Sequence, residues 1–424
     1  MKEITAAEFE KEVLNGGNVV LDFYSSECPP CEALAPKFEL LSNIYGDDIK
    51  FLKIFRQNNR ELSNQLGISS SPTLVFFKNG KEVGNRLSGG VKKSEIMSVL
   101  DTLISEQRAI ELKTQFKHIH YDYDVVILGG GPAGLVAGIY LAQAKIKSVI
   151  IDPSLPGGQV STTHLVSNYP GFIEPINGYM LSHNMSEQAK KAGVDFKVAV
   201  DITSIDLENK TVVVDGFETY KAKKILITTG ASPRFLGVEG EKEYKGHGIS
   251  YCATCDAKYF HDKEVVIIGG GNTAVEESEF ISKFASKITM IHQFDKLTSN
   301  KDAQEKLFSN NKINVLFNSE PRKFQKVGDK MVVTYENLES KELNKIETDG
   351  VFVFVGMKPN LDLISNLNME IDQWGYIKTD EDMHTSIKDV FAAGDVISKK
   401  YRQITTAVGD GTIASIVIAK ELET

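Results

Sequence analysis

Four cysteines stand in the 424-residue chain as two Cys-x-x-Cys pairs, Cys28/Cys31 and Cys252/Cys255, with none left over. Two thiols at this spacing can close a disulfide and reopen it, so the pattern points to thiol–disulfide exchange. A purely structural bridge competes with that reading, but closing so small a ring contributes only about 2 kcal/mol. The chain also reads as cytoplasmic, where such a bridge would not stay oxidised. Zinc competes as well, yet the pairs lie too far apart for a zinc ribbon and no histidine stands at finger spacing. Redox chemistry is the reading that remains for both pairs.

Two glycine-rich turns are the second chemical signal. Gly129-Gly130-Gly131-Pro132-Ala133-Gly134 follows the apolar run at 125–128 and opens a helix-compatible stretch at 135–143, and Asp152 ends the next apolar run. Glycines there let the backbone approach a pyrophosphate seated on the helix N-terminus, while Asp152 can accept from a ribose hydroxyl. Gly269-Gly270-Gly271-Asn272-Thr273-Ala274 repeats the arrangement between the run at 265–268 and a helix at 275–284. The next strand, 287–291, ends in His292-Gln293-Phe294-Asp295. That end offers neither an acidic residue suited to a ribose 2′-hydroxyl nor paired arginines for a 2′-phosphate, which leaves NADPH and NADH both open.

The first cysteine pair sits where the strand VVLDFY at 19–24 hands over to a helix at 32–42. A cysteine at a helix N-terminus meets the positive end of the dipole and free N–H groups, which favours its thiolate. Cys28 is therefore the expected nucleophile and Cys31 the resolving thiol. Asp22 lies on the strand among apolar neighbours. Buried, it could exchange a proton with Cys31; exposed, it would be an ordinary strand residue. A second strand, 73–78, comes directly after Pro72 and ends in the turn pair Asn79-Gly80. Residues 1–108 thus read as a small α/β domain, joined by a helix and a short linker to the rest of the chain. From Asp124 the apolar runs at 125–128, 148–151, 225–228, 265–268 and 351–355 are continuous, as parallel strands buried on both faces require.

Lys and Arg number 48 against 57 Asp and Glu, a net charge of −9, which gives no basic footprint for nucleic acid or an anionic membrane. Apolar residues at 42% and charged residues at 25% fit ordinary globular usage. No run nears the roughly 18 apolar residues of a membrane span, and the N-terminus lacks the basic and apolar regions of a signal peptide. His118 and His120 are expected to be solvated, and Glu276 and Glu277 to face solvent or the nicotinamide cleft. No metal site is indicated.

These motifs resemble known families. Asp22-Phe23-Tyr24 through Cys28-Pro29-Pro30-Cys31, Pro36, and Ser71-Pro72-Thr73 resemble thioredoxin over nearly all of residues 1–108, with Glu27, Pro29 and Glu32 as departures. That resemblance implies a cis Pro72 lying against the active disulfide. Residues 122–424 are similar to the low-molecular-weight thioredoxin reductases. The matching motifs are the first glycine loop, Gly157-Gly158-Gln159, Asn168-Tyr169-Pro170-Gly171, Thr229-Gly230-Ala231, Cys252 to Asp256, the second loop, Ala393-Gly394-Asp395-Val396 and Tyr401-Arg402-Gln403. The resemblance implies FAD on the first loop, Asp395 at its ribityl chain, Cys255 facing the flavin, Cys252 exchanging with thioredoxin, Asp256 as the acid, and a homodimer. The chain departs from the family's His-Arg-Arg at His292–Phe294, which leaves NADPH, NADH and a one-electron donor such as ferredoxin as candidates.

The expected fold is α/β, an N-terminal thioredoxin fold plus two Rossmann-like domains for FAD and NAD(P). The expected boundaries are 1–108, a linker at 109–121, an FAD domain in two parts at 122–235 and 361–424, and a NAD(P) domain at 236–360 carrying the second cysteine pair. The expected function is a cytoplasmic thioredoxin-disulfide reductase with a built-in thioredoxin, serving protein disulfides such as those of peroxiredoxins. Two rivals stand beside it. An alkyl hydroperoxide reductase flavoprotein would carry two thioredoxin-like folds, where about 120 residues hold one. Alternatively, residues 1–108 are a docking module that accepts no electrons.

Overall fold

The computed structural model describes residues 1–163, 166, 168–364 and 368–423, with the side chains of Thr254 and Cys255 outside that description. In the N-terminal domain the strand Asn18–Tyr24 is central, parallel to Lys50–Phe55 and antiparallel to Thr73–Lys78. Alternation along it sends Val20 to the core under the helices Pro29–Tyr45 and Lys93–Leu103, and Val19, Leu21 and Phe23 to the core on the opposite face. Asp22, two residues from Val20, therefore shares the face covered by the helix that starts beside Cys28. That helix begins at Pro29, earlier than its apolar spacing suggests, because prolines are compatible with a first turn that has no N–H partners to lose. Asn79 and Gly80 take φ of 51° and 77°, the left-handed pair that a two-residue hairpin needs.

The connection at 109–121 is more ordered than a linker. The helix Glu106–Lys113 is capped by Ser105, and a strand starts at Ile119 and runs to Leu128. Its first half alternates with solvent and so carries no continuous apolar signal; it forms by pairing with Glu218–Ile227 along its length. His118 and His120 are exposed there. The sheet it joins runs Ile202–Asp206, Thr211–Val214, Glu218–Ile227, Ile119–Leu128, Ser148–Asp152, Asp195–Val198, and Val390–Ala392 adds to Glu218–Ile227 from near the C-terminus. Between these parts lies a second parallel sheet, ordered Ile249–Ser250, Gly350–Val353, Glu264–Ile268, Lys287–Ile291, Ile313–Leu316. The chain enters that unit through Ala231–Pro233 and returns through Met357–Pro359, and these two crossings pair antiparallel.

The N-terminal domain is seated on the first sheet's domain by charge. Lys93, 3% exposed, pairs with Asp215 at 2.9 Å and stands 3.9 Å from the centre of the Phe217 ring. Lys92 meets Asp201 at 3.0 Å, and Lys190 meets Glu32, the residue after Cys31, at 3.1 Å. Lys37 donates to the Ala199 carbonyl at 2.6 Å. Among the described residues, no helix is long and apolar enough to cross a membrane and no cluster of ligating side chains could hold a metal ion.

Candidate active site

Cys28 and Cys31 form a disulfide at the start of the helix Pro29–Tyr45. Cys28 is the N-cap, and the Cys31 N–H donates to its sulfur at 3.2 Å. This free N–H and the helix dipole both favour negative charge on Cys28 over Cys31 once the bond is reduced. The Ser71 carbonyl lies 3.5 Å from the Cys28 sulfur, and the Ser71–Pro72 peptide is cis. Asp22 is 4% exposed and its Oδ1 has no hydrogen-bond partner. Burial pushes its carboxyl up to about 7, opposed by Lys53. The buried alternative for Asp22 is thus the one the fold adopts.

An acid whose pKa is raised in the fold contributes stability that is complete below its unfolded pKa and lost as pH rises through the folded one. Asp22→Asn removes that loss. We expect it to stabilise the chain by roughly 4 kcal/mol at pH 8, with the gain vanishing towards pH 4, and to slow turnover of the Cys28–Cys31 pair. Urea melts at the two pH values and a disulfide-reduction assay check both; equal melts at pH 8 would show that the carboxyl is not strained.

In the inserted domain Cys252 precedes the short helix Ala253–Asp256. Ser250 Oγ accepts from the Cys252 N–H at 3.1 Å and donates to Asp256 Oδ2 at 2.6 Å, so one hydroxyl fixes the carboxylate beside the cysteine backbone. Ser250 carries no motif of its own and is found only once the strand Ile249–Ser250 is placed. The side chain of Cys255 lies outside the described residues.

The first glycine loop opens onto a cavity of about 1020 Å³. Gly129, Gly131, Pro132 and Ala133 form its floor, at the N-terminus of the helix Pro132–Gln143. Asp152 holds this loop. Its Oδ2 accepts from the Gly130 N–H at 2.6 Å and its Oδ1 from the Ser154 N–H at 2.7 Å, while burial pushes its pKa up. Gly134 stands behind the loop, where a Cβ would come within 2.1 Å of the Gly129 carbonyl oxygen. Gly158 and Gln159 form one side of the cavity. Asn168 and Gln403 form another and hydrogen-bond each other at 3.2 Å.

Thr229, Gly230, Gly394 and Asp395 complete the wall. Thr229 Oγ1 is buried without a hydrogen-bond partner, the Asp395 Oδ1 has Lys399 Nζ at 3.4 Å, and burial pushes the Asp395 carboxyl up, opposed by Lys399. Arg402 stacks 3.8 Å from the centre of the Tyr376 ring and donates to the Asp395 and Ile397 carbonyls. A helix N-terminus for phosphate, with the unpartnered Thr229 hydroxyl and the buried Asp395 carboxyl for ligand hydroxyls, suits a dinucleotide. Glu277, expected to face solvent or the nicotinamide cleft, lines this cavity instead, because the helix Asn272–Ile281 faces the neighbouring domain; Glu276 is exposed.

The second loop borders a smaller cavity of about 580 Å³, where Gly269, Gly271, Asn272 and Thr273 face His292, Gln293 and Phe294. Ala274 is buried beneath it. His292 is 5% exposed, and its ring leaves room only for a glycine at position 270, where a Cβ would meet it at 2.4 Å. Burial lowers its pKa, and the neutral ring donates from Nε2 to the Lys296 carbonyl at 3.0 Å. Two arginines missed in the sequence line this cavity, Arg234 beside the crossing strands and Arg322 from the strand Ser319–Val327. They come from distant parts of the chain, so spacing could not reveal them. Arg322 is neutralised by Glu320 and Glu336, each at 2.8 Å.

Residues 123–411 match the family model described as pyridine nucleotide-disulphide oxidoreductase, and residues 1–102 match thioredoxin. The chain is 42% identical over 308 residues to a thioredoxin reductase of Peptoclostridium litorale, covering 71% of this chain and 97% of that protein. It is 42% identical over 294 residues to a thioredoxin reductase of Bacillus subtilis (strain 168), covering 69% and 92%. The solved Lactococcus lactis thioredoxin reductase is similar with a TM-score of 0.59 and 38% identity, over 71% of this chain and 100% of that one.

Proposed function

We propose, from the premise that this chain belongs to the pyridine nucleotide-disulphide oxidoreductase family with a thioredoxin domain ahead of it, that it is a thioredoxin-disulfide reductase carrying its own thioredoxin. Cys252/Cys255, which NAD(P)H would reduce with FAD as the cofactor, pass reducing equivalents to Cys28/Cys31 and then to protein disulfides. The observation that carries this reading is the presence, in one chain, of a disulfide capped at a helix N-terminus, a second Cys-x-x-Cys pair and two glycine-loop cavities.

FAD would be held in the larger cavity by the first glycine loop, Asp152, Thr229, Asp395 and the Asn168–Gln403 pair. Bound there, it supplies two-electron transfer between a nicotinamide and a disulfide. The chain's own residues do the rest. Asp256, oriented by Ser250 beside the Cys252 backbone, is the group placed to relay a proton there. The Cys252 thiolate attacks the Cys28 sulfur, breaking the Cys28–Cys31 bond and releasing Cys31 as a thiolate, for which Asp22 is the nearby proton source. Cys255 then attacks Cys252, which frees Cys28. The contacts seating the N-terminal domain are made with the FAD domain, whereas Cys252 belongs to the inserted one, so this exchange involves movement of the N-terminal domain, within one chain or between the subunits of a homodimer.

The donor assignment rests on charge at the second cavity. With Gln293, Phe294 and Asp295 at the strand end, Arg322 already neutralised and the Nε of Arg234 donated to the Met357 carbonyl at 3.1 Å, a 2′-phosphate finds no pair of free arginines there. We expect NADH to bleach the flavin anaerobically at lower concentration than NADPH. A preference for NADPH would overturn the donor assignment, and bleaching only by reduced ferredoxin or dithionite would overturn the nicotinamide route.

A further inference from the structure

We propose that residues 90–95 of the N-terminal domain form part of the larger nucleotide cavity and close its adenosine end, so that bound FAD and the seated N-terminal domain stabilise each other. The proposal rests on the reading of that cavity as the FAD site.

Gly90, Lys92 and Glu95 face the same space as Asp152, Ser154 and Leu155. Asp152 marks the adenosine half, because in a glycine-loop fold the acidic residue ending the second strand accepts from that ribose. The approach at Gly90 is close: a Cβ there would stand 3.0 Å from Leu155 Cγ and 3.7 Å from the Ala199 Cβ.

A continuous run of hydrogen bonds ties this end of the cavity to the redox helix. The Ser154 N–H donates to Asp152 at 2.7 Å, the Ala199 N–H to the Ser154 carbonyl at 2.9 Å, and Lys37 Nζ to the Ala199 carbonyl at 2.6 Å. Lys37 also donates to the Val91 carbonyl at 3.0 Å, so one ammonium bridges the loop and the FAD domain. Lys37 is 6% exposed and lies on the helix Pro29–Tyr45 that begins beside Cys28. Its removal would leave two carbonyls without a donor. Lys92 and Ser94 both engage the Asp201 carboxylate from the same loop.

A ligand that fits only the seated arrangement favours seating by the factor through which seating favours the ligand. The test uses full-length chain stripped of flavin and titrated with FAD and, separately, with FMN, which lacks the adenosine half; quenching of flavin fluorescence gives each Kd. Lys37→Met and Lys92→Glu are expected to weaken FAD about tenfold and leave FMN unchanged. The double variant Lys92→Glu/Asp201→Lys, which reverses the ion pair, is expected to restore FAD affinity. Unchanged FAD affinity in both single variants overturns the proposal, as does an equal loss for FAD and FMN. A native chain that takes up no FAD overturns the cofactor reading itself, and the proposal with it.

Discussion

Cys28→Ser is expected to leave flavin reduction by the nicotinamide intact and to lower reduction of an external protein disulfide by about 10³-fold or more. The serine hydroxyl keeps the N-cap geometry that Cys28 provides at the helix Pro29–Tyr45, so the fold should survive. What is lost is a sulfur that the Cys31 N–H and the helix dipole poise for exchange. Adding a free thioredoxin should restore turnover, since Cys252 would then have another partner. A variant that reduces the external disulfide at the native rate without such help would mean that the N-terminal domain only docks clients.

Gly134→Ala is the second large effect. The added methyl would sit 2.1 Å from the Gly129 carbonyl oxygen and 2.7 Å from Thr228 Oγ1, against backbone that cannot yield without opening the loop. We expect the variant to purify without flavin, to bind FAD at least about 100-fold more weakly, and to lose about 3 kcal/mol of stability. Gly409→Ala, in the helix Ile404–Glu423 with nothing within 4 Å of the added carbon, is the control. It should keep its flavin and gain up to about 1 kcal/mol from helix propensity. Flavin absorbance per protein and thermal melts decide it; a yellow, stable Gly134→Ala would show that the loop does not need this close approach.

The parts of the fold that could be read from sequence were those where one local rule dominates. Continuous apolar runs marked the buried parallel strands, and glycine-to-helix junctions marked both cavities. Ile119–Asp124 escaped because its half-exposed face looks polar, and only its partner strand makes it regular. The same limit applied to the sites. Cys28, Asp152 and the glycines announce themselves by spacing, whereas Ser250, Arg234, Arg322 and Glu277 act through elements brought together by packing. Asp22 was readable as a type but not as a state, because burial depends on which helix covers the strand. Lys37, Lys92 and Lys93 carried no signal, since a lysine on a helix or loop normally points to water.

Those lysines give the seat of the N-terminal domain an unusual material. Lys92, Lys93 and Lys190 meet Asp201, Asp215 and Glu32 across it, and the Phe116–Phe217 ring pair lies close to the covalent connection. Surfaces held mainly by ions become wettable when they part, whereas two oily faces would seek other oily faces. If the exchange proposed above carries the thioredoxin module to a distant disulfide, such a seat would let it part and re-form without offering its neighbours an oily face.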